Sequence, residues 1–291
     1  MKHSIFNAFK ATLLLGGMCL TTGCSSGPDN SKLVIGLECA YQPFNWETRQ
    51  ASEYTLPIDG SSLFADGFDI AIARYLSEDL NREVVIKKIA WTSLIPSLNS
   101  GEINMILAGM SSTEERRRSI DFTDPYLASD LAFLMQKSNI PEGNSPDNPL
   151  SYDDALTLFN NHALICQLGV VGDDIIEDYF SSVEGYNIQH NDALATYPLA
   201  AMDVSIGSSF AMPAELPVVE AMTNISSNLG VLYVEQFLSE SDKEGLSVNI
   251  GIKKGNDELR EALNNSLAKL SNSERGRLMG EASQRSGNIN D

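Results

Sequence analysis

The sequence predicts an α/β protein of two lobes, each a mainly parallel sheet flanked by helices, and three observations carry that prediction. Short apolar runs such as Leu33–Leu37, Val84–Ile89 and Ile103–Leu107 alternate with stretches whose apolar residues recur at helical spacing. The alternation restarts after a loop holding Pro141, Pro146 and Pro149. Once a leader-like segment is set aside, residues 24–291 suit two lobes of ordinary domain size. With 43% hydrophobic residues and no later apolar run of membrane length, those residues read as soluble and globular. The formal net charge of −19 argues against nucleic acid as a partner.

The elements follow in order. Lys2 and Lys10 precede an apolar core from Ala11 to Leu20 that is too short to span a bilayer, so residues 1–23 read as a secretory signal. Losing them removes two lysines and no acid, which takes the charge from −19 to −21. Residues 24–31, Cys-Ser-Ser-Gly-Pro-Asp-Asn-Ser, read as a short flexible tether. Leu33–Leu37 is a buried strand, ended by Pro43 among the aromatics Tyr41, Phe44 and Trp46, and Glu47–Asp66 is a polar surface excursion. Phe68, Ile72, Tyr75, Leu76 and Leu80 make one helical stripe; Val84–Ile89 is a strand, and Trp91 opens another helix. After Ile103–Leu107, Ser112 with Glu115 three residues on forms a capping-box pattern at the start of a helix. Beyond the prolines the expected order is helix 151–159, strand 163–168, helix 173–180, a short strand ending at His190, helix 193–201 and strand 204–206. Residues 246–252 carry the chain back, and Leu259, Leu263, Leu267 and Leu270 form the stripe of a last helix.

One stretch is more specific than the rest. Gly109-Met110-Ser111-Ser112-Thr113-Glu114-Glu115-Arg116 is followed, after a short spacer, by Asp121-Phe122-Thr123-Asp124-Pro125-Tyr126. A glycine that leaves backbone bare, three hydroxyls and a helix start beside a planar guanidinium together suit the binding of a small anion. The pattern resembles the polar amino-acid family of periplasmic solute-binding proteins, whose hallmark is Gly-Met-Ser-x-Thr-x-Glu-Arg and then Asp-Phe-Ser/Thr-Asp-Pro-Tyr. The resemblance runs from about Leu33 to Leu270 and is dense only before Pro141. It implies the type II two-lobed fold with a ligand cleft between lobes: residues 32–128 and 249–291 in the first lobe, 129–248 in the second, and a hinge where the chain crosses. Leu20-Thr21-Thr22-Gly23-Cys24 likewise resembles a lipoprotein cleavage site, with Cys24 taking the lipid.

Carried over position by position, the resemblance implies that Arg116 pairs a ligand carboxylate, Ser111 offers its hydroxyl and the Gly109 carbonyl faces an ammonium. Tyr41, Trp91 and Phe44 are expected walls, with Trp46 a weaker one, and Glu38 stands where the family usually has aspartate, suited to a side-chain amine or amide. The second lobe departs from the pattern. Gln167-Leu168-Gly169-Val170-Val171-Gly172 lacks the family's threonine, leaving backbone N–H groups at Val171 and Gly172, and Asp203-Val204-Ser205-Ile206-Gly207-Ser208 puts neutral Ser208 where the family has an ammonium-binding aspartate. Three explanations stay open: a ligand without an α-ammonium, another acid in the aspartate's place, or a shifted alignment. Cys39 and Cys166 fall in different lobes of the family fold, and His162 and His190 have no metal-ligand or nucleophile spacing, so neither a metal nor a cofactor is expected. The function implied is a lipid-anchored, monomeric receptor that closes on an amino acid or related carboxylate-bearing solute and delivers it to the membrane subunits of an ABC importer. The alternatives are a sensory binder without a transport role, or a dehydratase of cyclic acids with Glu38 as its acid/base.

Overall fold

The computed structural model describes residues 31–287. The signal segment, Cys24 and nearly all of the tether lie outside the described residues, as does the tail beyond 287. The chain opens with β1 (Lys32–Leu37), β2 (Ala40–Tyr41), β3 (Asn45–Thr48), β4 (Leu56–Pro57) and β5 (Phe64–Asp66), then α1 (Phe68–Leu80) and β6 (Glu83–Lys88). A 3-10 turn at Trp91–Ser93 leads into α2 (Leu94–Ser100), followed by β7 (Met105–Ile106), α3 (Glu114–Ser119) and β8 (Asp121–Leu127). Beyond come β9 (Leu131–Gln136), α4 (Tyr152–Phe159), β10 (Ala163–Leu164), α5 (Val171–Ile176), β11 (Gln189–His190), α6 (Tyr197–Ser205), β12 (Ala211–Glu215), α7 (Leu216–Met222) and β13 (Leu229–Leu232). The chain ends with α8 (Glu240–Gly245), β14 (Val248–Ile252), α9 (Asp257–Leu267) and α10 (Asn272–Ser286).

Two five-stranded sheets result, in the orders β6-β1-β7-β14-β8 and β11-β10-β12-β9-β13. Each has one strand that runs against its neighbours, β14 in the first and β9 in the second. These are the strands that the chain enters on crossing from one sheet to the other, after Leu127 and again before Val248. The other pairs, β1 with β6 and β7 and β10 with β11 and β12, are parallel, so both sheets are mixed rather than mainly parallel, although helical crossovers join the parallel strands as expected.

Several expected elements are corrected. The excursion after Glu47 is not loop: β2, β3, β5 and β4 form a small antiparallel sheet of their own. The cap of α3 is Thr113, whose Oγ1 accepts from the Arg116 N–H. Ser112 sits one residue before it, its hydroxyl and carbonyl accepting from the Arg117 guanidinium instead. Of the run 163–168 only Ala163–Leu164 pairs as strand, and the helix after it starts at Val171, two residues early, and continues as a π-helical turn over Glu177–Ser181. The helix expected at 193–201 is α6 at 197–205, with Pro198 in its first turn, where a missing N–H costs nothing. Val204–Ile206 is therefore the end of that helix and not a strand; Val204 is buried, while Ile206 is 76% exposed. The strand that enters the second sheet is β12, all five residues of which are buried.

The buried apolar residues include Leu33, Ile35, Ile70 and Ile72 in the first lobe and Phe133, Phe159 and Phe180 in the second, where Phe133 and Phe159 each meet Phe180 edge to face. Cys39 and Cys166 are buried free thiols, the latter donating to the Pro213 carbonyl at 3.4 Å. Among the described residues no helix is long and apolar enough to cross a membrane, and no group of side chains is arranged to hold a metal ion.

Candidate functional site

A narrow cleft lies between the two sheets. From the first-sheet side Glu38, Tyr41, Trp91, Gly109, Ser111 and Arg116 line it; from the second-sheet side Val170, Val171, Gly172, Tyr197, Ala214 and Glu215 do. Leu131 and Leu246, each beside one of the two crossings, complete the wall.

Arg116 is half-buried near the centre. Thr113 caps the helix on which it sits, and the guanidinium bends back to donate from Nη1 to the Ser111 carbonyl at 2.8 Å and from Nη2 to the Gly169 carbonyl at 3.0 Å. Its carbon lies 5.1 Å from the centre of the Trp91 ring, within range of a cation–π contact. Trp91 Nε1 donates to the same Gly169 carbonyl at 2.8 Å. Burial lowers the guanidinium's pKa, and the nearby Asp174, Glu215 and Glu115 oppose that. Ser111 is buried and pairs with Val248, so Arg116 is braced against the second crossing as well.

Two buried carboxyls share the cleft with this cation. Glu38 follows β1 and accepts from Gln167 Nε2 at 3.0 Å; burial pushes its carboxyl up to about 7, against the pull of that hydrogen bond. Glu215 ends β12 and takes a short hydrogen bond from the Tyr41 hydroxyl. Burial also raises the Glu215 carboxyl, with the Tyr41 bond and the Arg116 charge lowering it. Tyr41 is sandwiched between Phe44, with ring centres 5.1 Å apart, and Tyr197, at 4.7 Å. Gly109 has φ +61, and a Cβ there would come within 2.7 Å of the Tyr41 ring, so only glycine lets the backbone approach the cleft.

The cleft thus brings together eight of the expected residues and leaves three out. Phe44 is fully buried behind Tyr41 and does not reach the lining, and Trp46 is buried beside it. Ser208 lies exposed in the turn between α6 and β12, because its segment ends a helix and points no side chain at the cleft. The strand end that does face the cleft brings Glu215, seven residues on, so an acid occupies the second-lobe position where serine was expected. Tyr197 was likewise not anticipated. The legible signal for both was the pair of proline-bearing helix starts, Tyr197-Pro198 and Glu215-Leu216-Pro217, each marking the end of an extended segment.

Buried Glu38 carries a pH prediction. Its carboxyl rises to about 7 through burial, so the folded chain keeps a proton that the unfolded chain has released from about pH 4 upward. The stabilising effect is complete below the ordinary carboxylate range and is lost as pH rises through 7. Thermal melting without added ligand should fall between pH 5 and 7.5, and Glu38→Gln should remove a part worth roughly 3 kcal/mol, about 6 °C for a chain of this size. An unchanged slope in that variant would show that general charge repulsion, not Glu38, sets the trend.

Comparison with known proteins agrees with this geometry. The sequence profile of the family described as bacterial extracellular solute-binding proteins, family 3, matches residues 33–279. The arginine-binding extracellular protein ArtP of Bacillus subtilis is 28% identical over 138 residues, 45% of this chain and 49% of that protein, so this match spans about half the length of the relative. The L-arginine-binding protein of Pseudomonas aeruginosa is 26% identical over 266 residues, 90% of this chain and 91% of that protein. Among solved structures, an amino acid ABC transporter substrate-binding protein from Streptococcus pneumoniae bound to L-arginine superposes with a TM-score of 0.70 at 22% identity, covering 88% of this chain and 96% of that one. With a matching profile over most of its length, the same two-sheet architecture and a cleft between the sheets, the chain is a member of the bacterial extracellular solute-binding proteins, family 3.

Proposed function

We propose that the protein captures an α-amino acid with a positively charged side chain, and that it does so as a lipid-anchored receptor for an ABC importer. One observation carries the ligand class: a single cleft holds one guanidinium and two buried carboxyls drawn from opposite sheets. A basic amino acid has the complementary set of one anion and two cations, and a buried ion needs its partner because the medium supplies none. Arg116 takes the carboxylate with the N–H donors not spent on the Ser111 and Gly169 carbonyls. Glu215 takes the α-ammonium together with the Gly109 carbonyl, and Glu38 takes the charge at the far end of the side chain. Tyr41, Tyr197 and Trp91 give the side chain flat π faces. Backbone N–H groups at Val171 and Gly172 are further candidates for the carboxylate. The arginine-binding relatives support this ligand class, and an acid at 215 speaks against a solute lacking the ammonium.

Closure would turn on the crossings near 128 and 249, with residues 32–128 and 249–291 moving against 129–248. Tyr41 with Glu215, Glu38 with Gln167, and Arg116 and Trp91 with Gly169 are hydrogen bonds that join the two sides, beside the stack of Tyr41 on Tyr197. Lipid on Cys24 would keep the receptor beside its importer, as a monomer on a short tether.

A thermal-shift and calorimetric panel tests the ligand. L-Arginine, L-lysine and L-ornithine should stabilise the protein, by about 2.7 kcal/mol at a hundredfold excess over Kd, while L-glutamate and citrate should do nothing. Stabilisation by citrate or glutamate, with none from the basic amino acids, would refute the charge assignment. The raised carboxyl of Glu38 is also what acid/base chemistry on a cyclic acid would require; incubation of the protein with such an acid should leave it unconverted, and loss of water would favour the enzymatic reading. Loss of uptake on deletion separates an importer's receptor from a sensory binder.

A further inference from the structure

Asp69 lies behind the cleft, yet the cleft-lining backbone of the first sheet is tied to it. It is completely buried in the first turn of α1, and its N–H donates to the Phe44 carbonyl at 2.8 Å. Gly67, with φ +132, permits this close approach: a Cβ there would lie 2.2 Å from the same carbonyl oxygen. Asp69 Oδ1 accepts from the Tyr126 hydroxyl at 2.7 Å, and Oδ2 accepts from Asn45 Nδ2 at 2.8 Å. Each donor passes the connection one step toward the ligand. The Tyr126 hydroxyl accepts the Gly109 N–H at 3.1 Å, and Asn45 Oδ1 accepts the Cys39 N–H at 2.9 Å. Gly109 lines the cleft, as does Glu38, the residue before Cys39. Cys39 has positive φ, at 56°, a conformation that a residue with a Cβ does not favour unaided.

We infer that Asp69 is a positioning residue for ligand capture: through Tyr126 and Asn45 its two carboxylate oxygens set the backbone from which Gly109 and Glu38 meet the solute. The network admits only an acceptor at both oxygens. Tyr126 already accepts from Gly109, so its own proton must go inward; Asn45 spends its carbonyl oxygen on Cys39, so its amide must also point inward. Nothing in this arrangement can turn round without releasing a cleft residue. The inference rests on the cleft being the solute site, and the test separates the two.

In Asp69→Asn one of the inward donors meets another donor. Combining it with Asn45→Asp restores every pair with the roles exchanged: the carboxylate introduced at position 45 would accept from the Cys39 N–H and from the amide at position 69, whose oxygen accepts from Tyr126. Two readouts apply, at a temperature where circular dichroism shows each variant folded: hydrogen exchange at the Gly109 and Cys39 amides without ligand, and the affinity for L-arginine. Asp69→Asn should speed both exchanges and weaken L-arginine binding by roughly tenfold or more, and the swapped pair should return both to within about threefold. Tyr126→Phe should affect exchange at Gly109 alone and weaken binding. Wild-type affinity in folded Asp69→Asn, or a folded swap that behaves like the single variant, overturns the inference. Should Asp69→Asn fail to fold, Tyr126→Phe decides, and unchanged affinity there overturns it. If the wild-type protein does not bind L-arginine, the ligand reading fails, while amide exchange still decides whether Asp69 holds the two loops.

Discussion

Replacing Arg116 by alanine should abolish ligand-induced thermal stabilisation, whereas Arg118→Ala, two residues away, should leave it nearly intact. The difference lies in where the two guanidiniums point. Arg116 folds back over Trp91 into the cleft and reaches carbonyls of both sheets. Arg118 is exposed and pairs with Glu114 one helical turn earlier, a contact that water and salt screen. Removing the cleft's cation leaves a ligand carboxylate without its counter-charge, which costs about 2–5 kcal/mol, or a factor of roughly 30 to several thousand in affinity. Calorimetry with L-arginine on the two variants measures it, and equal behaviour of the two would refute the clamp.

Glu215→Gln should have the second largest effect, a loss of roughly a hundredfold or more in affinity for a basic amino acid. Glutamine keeps the shape at the end of β12 but offers the ammonium a neutral partner in a site sheltered from water. The unliganded variant should be at least as stable as the wild type above neutral pH, because burial already disfavours the charged carboxyl. Lost binding with retained or raised melting temperature is therefore the expected signature, and it separates a binding role from a folding defect. Ser208→Ala, in an exposed turn, should change neither quantity. Wild-type affinity in Glu215→Gln would mean that the ammonium is met elsewhere.

As a member of an extracellular family the protein binds its solute outside the cytoplasm, and the electrostatics of its cleft fit that task. With Glu38 raised to about 7, a cationic ligand competes with a proton for the same carboxyl. A basic ligand should therefore expel a proton on binding and gain affinity as pH rises toward 7.

What the chain shows by itself is the first lobe and one half of the site. The stretch from Gly109 to Tyr126 is contiguous and its residue types are dictated locally: a glycine where backbone nears Tyr41, hydroxyls opening a helix, an arginine in its first turn, although the cap proved to be Thr113 and not Ser112. Helix stripes and buried strand runs were also legible, because burial on one face imposes a period. The second lobe was harder to read, since its segment 193–214 is mostly apolar or small. Val204–Ile206 reads as a strand by composition, but Pro198 and the fit of Tyr197 against Tyr41 start the helix later and carry it through those residues. That shift of register moves the acid of the site from an empty position at Ser208 to Glu215. Only the tertiary structure decided it, because Glu215 acquires its role by facing Arg116 across the cleft, and no local pattern encodes which strand ends will meet there.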